Sequence, residues 1–117
     1  MIEYTVEVLA NGTRYWYLKG VLHREDGPAV EYSNGIKCWY LNGEQHREGA
    51  PAIEYPSGTK YWLLKGKLHR EDGPAVEFAN GTSGWYIDDE ELTEEEFLAR
   101  TTKTIVIDGI KYKLVKD

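Results

Sequence analysis

Three histidines recur at a fixed step of 23 residues, His23, His46 and His69, and each is followed at once by an arginine and a glutamate. Imidazoles repeated in this way can ligate a metal or, when protonated, hold a phosphate. If each step adds two strands about 4.8 Å apart, neighbouring imidazoles stand roughly 10 Å from one another. Ligands of one zinc must each come within about 2.1 Å of the ion, so adjacent rings do not share it easily. The histidines are therefore read as structural, each packed beside a tryptophan and bonded to the following loop. No metal site and no cofactor are expected.

Arg24, Arg47 and Arg70 invite a second chemistry, because a guanidinium binds both oxygens of a phosphate or carboxylate at once. The plainer use is an exposed ion pair with the adjacent Glu25, Glu48 or Glu71, worth at most about 1 kcal/mol. Tyr15, Tyr17, Tyr40, Tyr61 and Tyr86 fall on the same strand parity as these arginines. Together they make a candidate contact face, since Tyr and Arg are enriched at protein interfaces and aromatic faces beside Arg also hold bases. Tyrosine is equally a good strand residue. A third candidate is the acidic run of Asp88, Asp89, Glu90, Glu91, Glu94, Glu95 and Glu96, read either as a docking patch for a basic surface or as a solvated helix start. Cys38 stands in the slot of Tyr15 and Tyr61, which marks it as a strand residue rather than a nucleophile.

The background composition narrows the function classes. The chain of 117 residues fits one domain, and its formal charge of −6 argues against direct nucleic-acid binding. Nine Tyr and four Trp against two Phe favour rings with a polar handle. A single cysteine gives no disulfide framework, and the first residues carry no basic and apolar signal pattern, so a cytoplasmic setting is expected. No apolar run is long enough for a membrane span, and no Ser-His-Asp order, phosphate loop or Cys-x-x-Cys is present.

The elements that must position these side chains repeat with the same 23-residue step. Trp16, Trp39, Trp62 and Trp85 mark four units, and Gly12, Gly35, Gly58 and Gly81 precede them. Thr13 to Leu18 alternates as a strand, Lys19-Gly20 turns it, and Val21 to Arg24 returns. Glu25-Asp26-Gly27-Pro28 interrupts the ladder before Ala29 to Ser33 resumes, and Asn34-Gly35 leads into the next unit. A two-residue turn at Asn34-Gly35 places Glu31 opposite Cys38 and Val30 opposite Trp39. That register gathers the tryptophans, Val30, Ile53, Val76, Tyr32, Tyr55, Phe78 and the histidines on one interior face. The first hairpin strains the scheme, because the same count puts Glu7 opposite Trp16 and demands a bulge or another register. After Leu92, which replaces a histidine, Thr93 caps a short helix to about Arg100, with Glu96 closing a capping box. Lys103 to Val115 forms a hairpin about Asp108-Gly109, with Ile105, Ile107, Ile110, Tyr112 and Leu114 on one face.

The expected fold is all-β: an antiparallel β-meander of 23-residue hairpin repeats with a short C-terminal helix and hairpin cap. It is one domain, with an N-terminal strand in 1–10, four repeats in 11–92 (the last degenerate) and the cap in 93–117. A repeat array presents a surface, whereas enzymes usually gather unique residues about one cleft.

The unit Trp-Tyr-Leu-(Lys/Asn)-Gly-x-x-His-Arg-Glu-x-(Gly/Ala)-Pro-Ala resembles the variant form of the MORN repeat over residues 11 to 92. The second unit departs from it at Gly49-Ala50. The Leu92 to Phe97 ending is similar to the tails of phage-encoded members. The resemblance implies a phage accessory protein without catalytic residues, acting in the bacterial cytoplasm by occupying a host defence protein. The alternative is a sponge that sequesters a small phosphorylated nucleotide signal. Free sheet edges also allow a homodimer.

Overall fold

The structure, a computed structural model, describes residues 2–114. Its first elements are β1 (Thr5–Val8), β2 (Arg14–Leu18), β3 (Val21–Leu22) and β4 (Val30–Glu31). Then follow β5 (Lys37–Cys38), β6 (Tyr40–Leu41), β7 (Glu44–Gln45) and β8 (Ile53–Glu54). Their counterparts 23 residues later are β9 (Lys60–Tyr61), β10 (Leu63–Leu64), β11 (Lys67–Leu68) and β12 (Val76–Glu77). The chain ends with β13 (Ser83–Ile87), β14 (Glu90–Leu92), helix α1 (Glu94–Thr101), β15 (Lys103–Ile107) and β16 (Ile110–Leu114). Ten strands join one antiparallel sheet in the order β1-β2-β4-β5-β8-β9-β12-β13-β14, with β3 paired to β2. The architecture is thus mostly antiparallel β with one short helix.

Two kinds of hairpin alternate. Lys19-Gly20, Asn42-Gly43 and Lys65-Gly66 have positive φ at both positions, which is the type I′ geometry, and place Leu18 opposite Val21, Leu41 opposite Glu44 and Leu64 opposite Lys67. The Asn-Gly turns differ from expectation. Val30 pairs with Cys38 and Glu31 with Lys37, one residue away from the two-residue register. The loop holds three residues: Tyr32 N–H donates to the Ile36 carbonyl, and Gly35 N–H donates back to the Tyr32 carbonyl. Gly35 has φ +94°, so the turn ends in a left-handed glycine that bulges the strand. Asn34 Oδ1 accepts the Ile36 N–H, a local side-chain bond that favours Asn here without requiring it to adopt positive φ. The same three-residue turn closes the first hairpin, where Val6 rather than Glu7 faces Trp16.

This shift of one residue exchanges the faces. A rung of directly paired residues runs Tyr15, Val30, Cys38, Ile53, Tyr61, Val76 and Gly84. The next rung, on the opposite face, alternates charge: Arg14, Glu31, Lys37, Glu54, Lys60 and Glu77. Opposite charges directly across strands favour this register. The core cluster of Val30, Cys38, Ala52, Ile53 and Leu63 is completed by Tyr15, Leu22, Tyr40, Tyr61 and Leu68, so it joins the sheet to the hairpin arms. Tyrosines expected outside therefore line the core, and the tryptophans do not face Val30, Ile53 or Val76. Tyr55, expected inside, packs against this cluster, whereas its equivalents Tyr32 and Phe78 are exposed.

Each tryptophan stands where its strand changes partner. Trp39 N–H donates to the Ala52 carbonyl, while its own carbonyl accepts from His46; Trp16 and Trp62 repeat both bonds. Ala29, Ala52 and Ala75 are completely buried beside these junctions. Units are also stitched by side chains: Thr13 Oγ1 accepts the Ser33 N–H, and Thr59 Oγ1 accepts the Ala79 N–H. In the unit between, Ile36 has no hydroxyl and Pro56 has no N–H, so acceptor and donor are replaced together and neither is left unsatisfied.

At the C-terminal end, Thr93 caps α1 and Glu96 closes the capping box, as the sequence indicates. The following hairpin has the expected register, with Ile107 opposite Ile110 and Ile105 opposite Tyr112. It forms a separate two-stranded sheet instead of joining the main one, and Ile107, Ile110 and Tyr112 are exposed. Val115, the last residue expected in it, lies outside the described residues.

Candidate recognition grooves

The face opposite the tyrosines carries the arginines. After His23 the chain leaves its hairpin, Arg24 N–H bonding to the Tyr40 carbonyl of the next unit. The side chain then folds back, setting its guanidinium 4.0 Å from the Trp16 ring centre. Arg47 lies 3.8 Å above Trp39, and Arg70 lies 3.7 Å above Trp62. Candidate residues expected on one face are thus divided: Tyr15, Tyr40 and Tyr61 line the core, whereas Arg24, Arg47 and Arg70 lie across the sheet on indoles. Tyr17 stacks near Tyr15, and Tyr86 donates to Glu91. All five tyrosines are half-buried, and burial pushes the Tyr17, Tyr40 and Tyr86 phenols upward.

Each arginine closes its own loop. Arg24 Nε donates to Asp26 and Nη1 donates to both the Pro28 carbonyl and Glu31. Arg70 repeats this set with Asp72, Pro74 and Glu77. The adjacent glutamates, expected to pair with the arginines, instead approach the histidines: Glu25 Oε2 lies 3.4 Å from His23 Nε2. Gly27 and Gly73 permit the close fold, because a Cβ at either would stand about 3 Å or less from the arginine Cζ. Unit two has Ala50 at that position and Gly49 in place of the aspartate. Arg47 accordingly keeps only Pro51 and a longer 3.5 Å contact to Glu54, and it is more exposed than Arg24 or Arg70.

The histidines link units. Nδ1 of His23, His46 and His69 accepts the backbone N–H of Asn42, Lys65 and Asp88 respectively. This acceptor role fixes the Nε2–H tautomer at His23 and His46 and directs that proton toward the loop glutamate. The Nδ1 bonds hold the rings of His46 and His69 in place between successive arginine loops.

The acidic run is largely absorbed locally. Glu96 bonds back to Thr93 N–H, and those bonds hold its carboxyl below the ordinary range. Glu90 pairs with Arg100, Glu91 accepts from Tyr86, and Asp89 Oδ1 accepts the Leu68 N–H. Asp88 lies against His69. Glu94 and Glu95 occupy the exposed first helical turn.

Two open grooves separate successive arginine loops. One is floored by Trp39, Leu41 and His46, and its rim carries Glu25, Asp26 and Glu48. The other, of about 370 Å³, is floored by Trp62, Leu64 and His69, with Glu71 and Asp72 at its rim. The end units differ. Tyr4 accepts the Glu25 N–H at the first loop, and Phe97 covers Trp85 at 4.8 Å in the fourth. Sequence reasoning missed the grooves because it put the indoles indoors; the recurring Gly before Pro28 and Pro74 was the available sign of a tightly folded side chain.

No group of three or more His, Cys, Asp or Glu among the described residues is arranged to hold a metal. Among the described residues, no helix is long and apolar enough to cross a membrane. No protein-family model, curated protein or solved structure matches the chain.

Proposed function

We propose that the chain is a non-enzymatic binding protein, an array of 23-residue variant MORN-type repeats whose outer face occupies a partner protein. The observation that carries this reading is the recurrence of one shallow groove along the sheet. A unique cleft would be expected of an enzyme, whereas the same surface presented at successive steps suits an extended partner. The resemblance to phage-encoded repeat proteins makes that partner a host protein, and inhibition by occupancy the mode of action in the bacterial cytoplasm. The indole and arginine face replaces the tyrosines as the contact surface, because Tyr15, Tyr40 and Tyr61 line the core. Association is steered by the net charge of −6 toward a basic target.

The test is capture from a bacterial lysate on immobilised protein, followed by mass spectrometry. One host protein retained at stoichiometric yield, and lost when Trp39 and Glu48 are replaced, is the expected result. Retention of nothing above a charge-matched control overturns the reading.

A further inference from the structure

The two grooves share a layered electrostatic design. Their guanidiniums lie low, on the indoles, with side chains only 18 to 31% exposed. Their rim carboxylates stand high: Glu25 is 55% exposed, Asp26 77%, Glu48 84%, Glu71 61% and Asp72 60%. Around the two grooves, three arginines thus face five rim acids, while Glu31, Glu54 and Glu77 are matched across strands by Arg14, Lys37 and Lys60. An incoming group meets carboxylates first, and beneath them Trp, Leu and His side chains beside the stacked guanidiniums. A phosphate would be repelled at the rim before reaching an arginine that is already bonded to its own loop.

We infer that these grooves take lysine or arginine side chains from an extended basic segment of a partner, one side chain in each groove. The hydrocarbon stem lies along the Trp and Leu floor and the cationic head rests among the rim carboxylates. Each unit adds two strands to the sheet, so equivalent points are roughly 10 Å apart. A polyproline II segment rises about 3.1 Å per residue with three residues per turn, so every third residue matches that step on one face. The inference rests on the reading of the chain as a binding protein and adds the chemistry of the partner.

The probe is a blocked peptide of four Lys-Pro-Pro triplets, titrated at low salt against the full chain by calorimetry and tryptophan emission. Two controls isolate arrangement and sign: one keeps the composition and gathers the four lysines together, the other replaces them with glutamate. Saturable binding of the spaced peptide is expected, at least tenfold tighter than the clustered one and absent for the acidic one. The double variant Glu48→Gln, Glu71→Gln alters exposed rim residues and should weaken binding tenfold or more with an unchanged melting curve. The double variant Glu7→Gln, Asp108→Asn removes the same charge from exposed positions outside the grooves and should leave binding unchanged. Equal weakening by both variants, equal binding of spaced and clustered peptides, or no binding overturns the inference. Lysate capture that survives the rim variant would defeat this inference while leaving the proposed function standing.

Discussion

Trp62 and Trp85 occupy equivalent positions in successive units and end in opposite surroundings. Trp62 has a guanidinium on its face and an open groove beside it. Trp85 has Thr93 in the arginine slot, and the first helix turn that Thr93 caps carries the buried Phe97 onto the indole. The exchange of Arg for Thr removes a loop clamp and supplies a helix start. One position therefore decides whether a unit offers a surface or closes the array. Interior units keep an open groove beside the indole, and the terminal one packs its aromatic face against α1.

The sharpest way to break this contrast is Phe97→Ala. Removing a buried phenylalanine from a packed site costs about 3–5 kcal/mol, so the melting temperature should fall and Trp85 emission should shift to the red. Trp62 should keep its wild-type amide and indole resonances. An unchanged melting curve would mean that α1 does not anchor the fourth unit.

The contrast among the arginines should be smaller. Arg70 has two carboxylates and a carbonyl, whereas Arg47 has lost the aspartate contact. Charge-assisted hydrogen bonds contribute about 1.5–3 kcal/mol, discounted here because both side chains are partly exposed. Arg70→Ala should thus destabilise by about 1–2 kcal/mol, and Arg47→Ala by about 1 kcal/mol or less. Chemical denaturation of the two variants side by side measures the difference, and equal losses would remove the significance given to Gly49 and Ala50.

Much of the architecture follows from local chemistry. The two-residue turns at Lys19-Gly20 and its counterparts were legible because Gly tolerates positive φ, and the helix start was legible in Thr93 and Glu96. The faces were not, because Asn-Gly serves two turn types whose registers differ by one residue. The misfit of Glu7 opposite Trp16 was a direct sign of the three-residue turn, and it applied equally to Asn34-Gly35. Arginines were misplaced for a different reason: alternation holds only while a strand stays paired, and Arg24 follows the point where its chain changes partner. The coupled loss of the Thr hydroxyl at Ile36 and the N–H at Pro56 shows that compensation between units is also written in sequence, but only a register reveals it.

Cys38 offers a milder probe of the tyrosine face. Burial pushes its thiol up to about 11, and the residue is 5% exposed. The folded chain holds the proton more tightly than the unfolded one, so this contribution is complete below the ordinary thiol range and is lost as pH rises toward 11. Iodoacetamide should therefore label native protein at pH 8 far more slowly than unfolded protein. Equal rates would place Cys38 outside the core and undo the assignment of faces.

The smallest effect returns to the closed end. Glu96 has its carboxyl held below the ordinary range first by its bond to Thr93 N–H, and it is exposed. For a depressed carboxyl, the stabilisation is present above the unfolded value and is lost as pH falls through the folded one. Acidification should then loosen the first turn of α1, and with it the cover over Trp85, before the main sheet responds. Glu96→Gln retains an acceptor for that N–H but not the charge, so its Trp85 emission should change less between pH 6 and pH 3 than the wild type. Trp62, which has no such helix above it, should report no difference between the two proteins. A matching change at Trp62 would mean that the closed and open ends respond as one body, and that Phe97 contributes no separate cover.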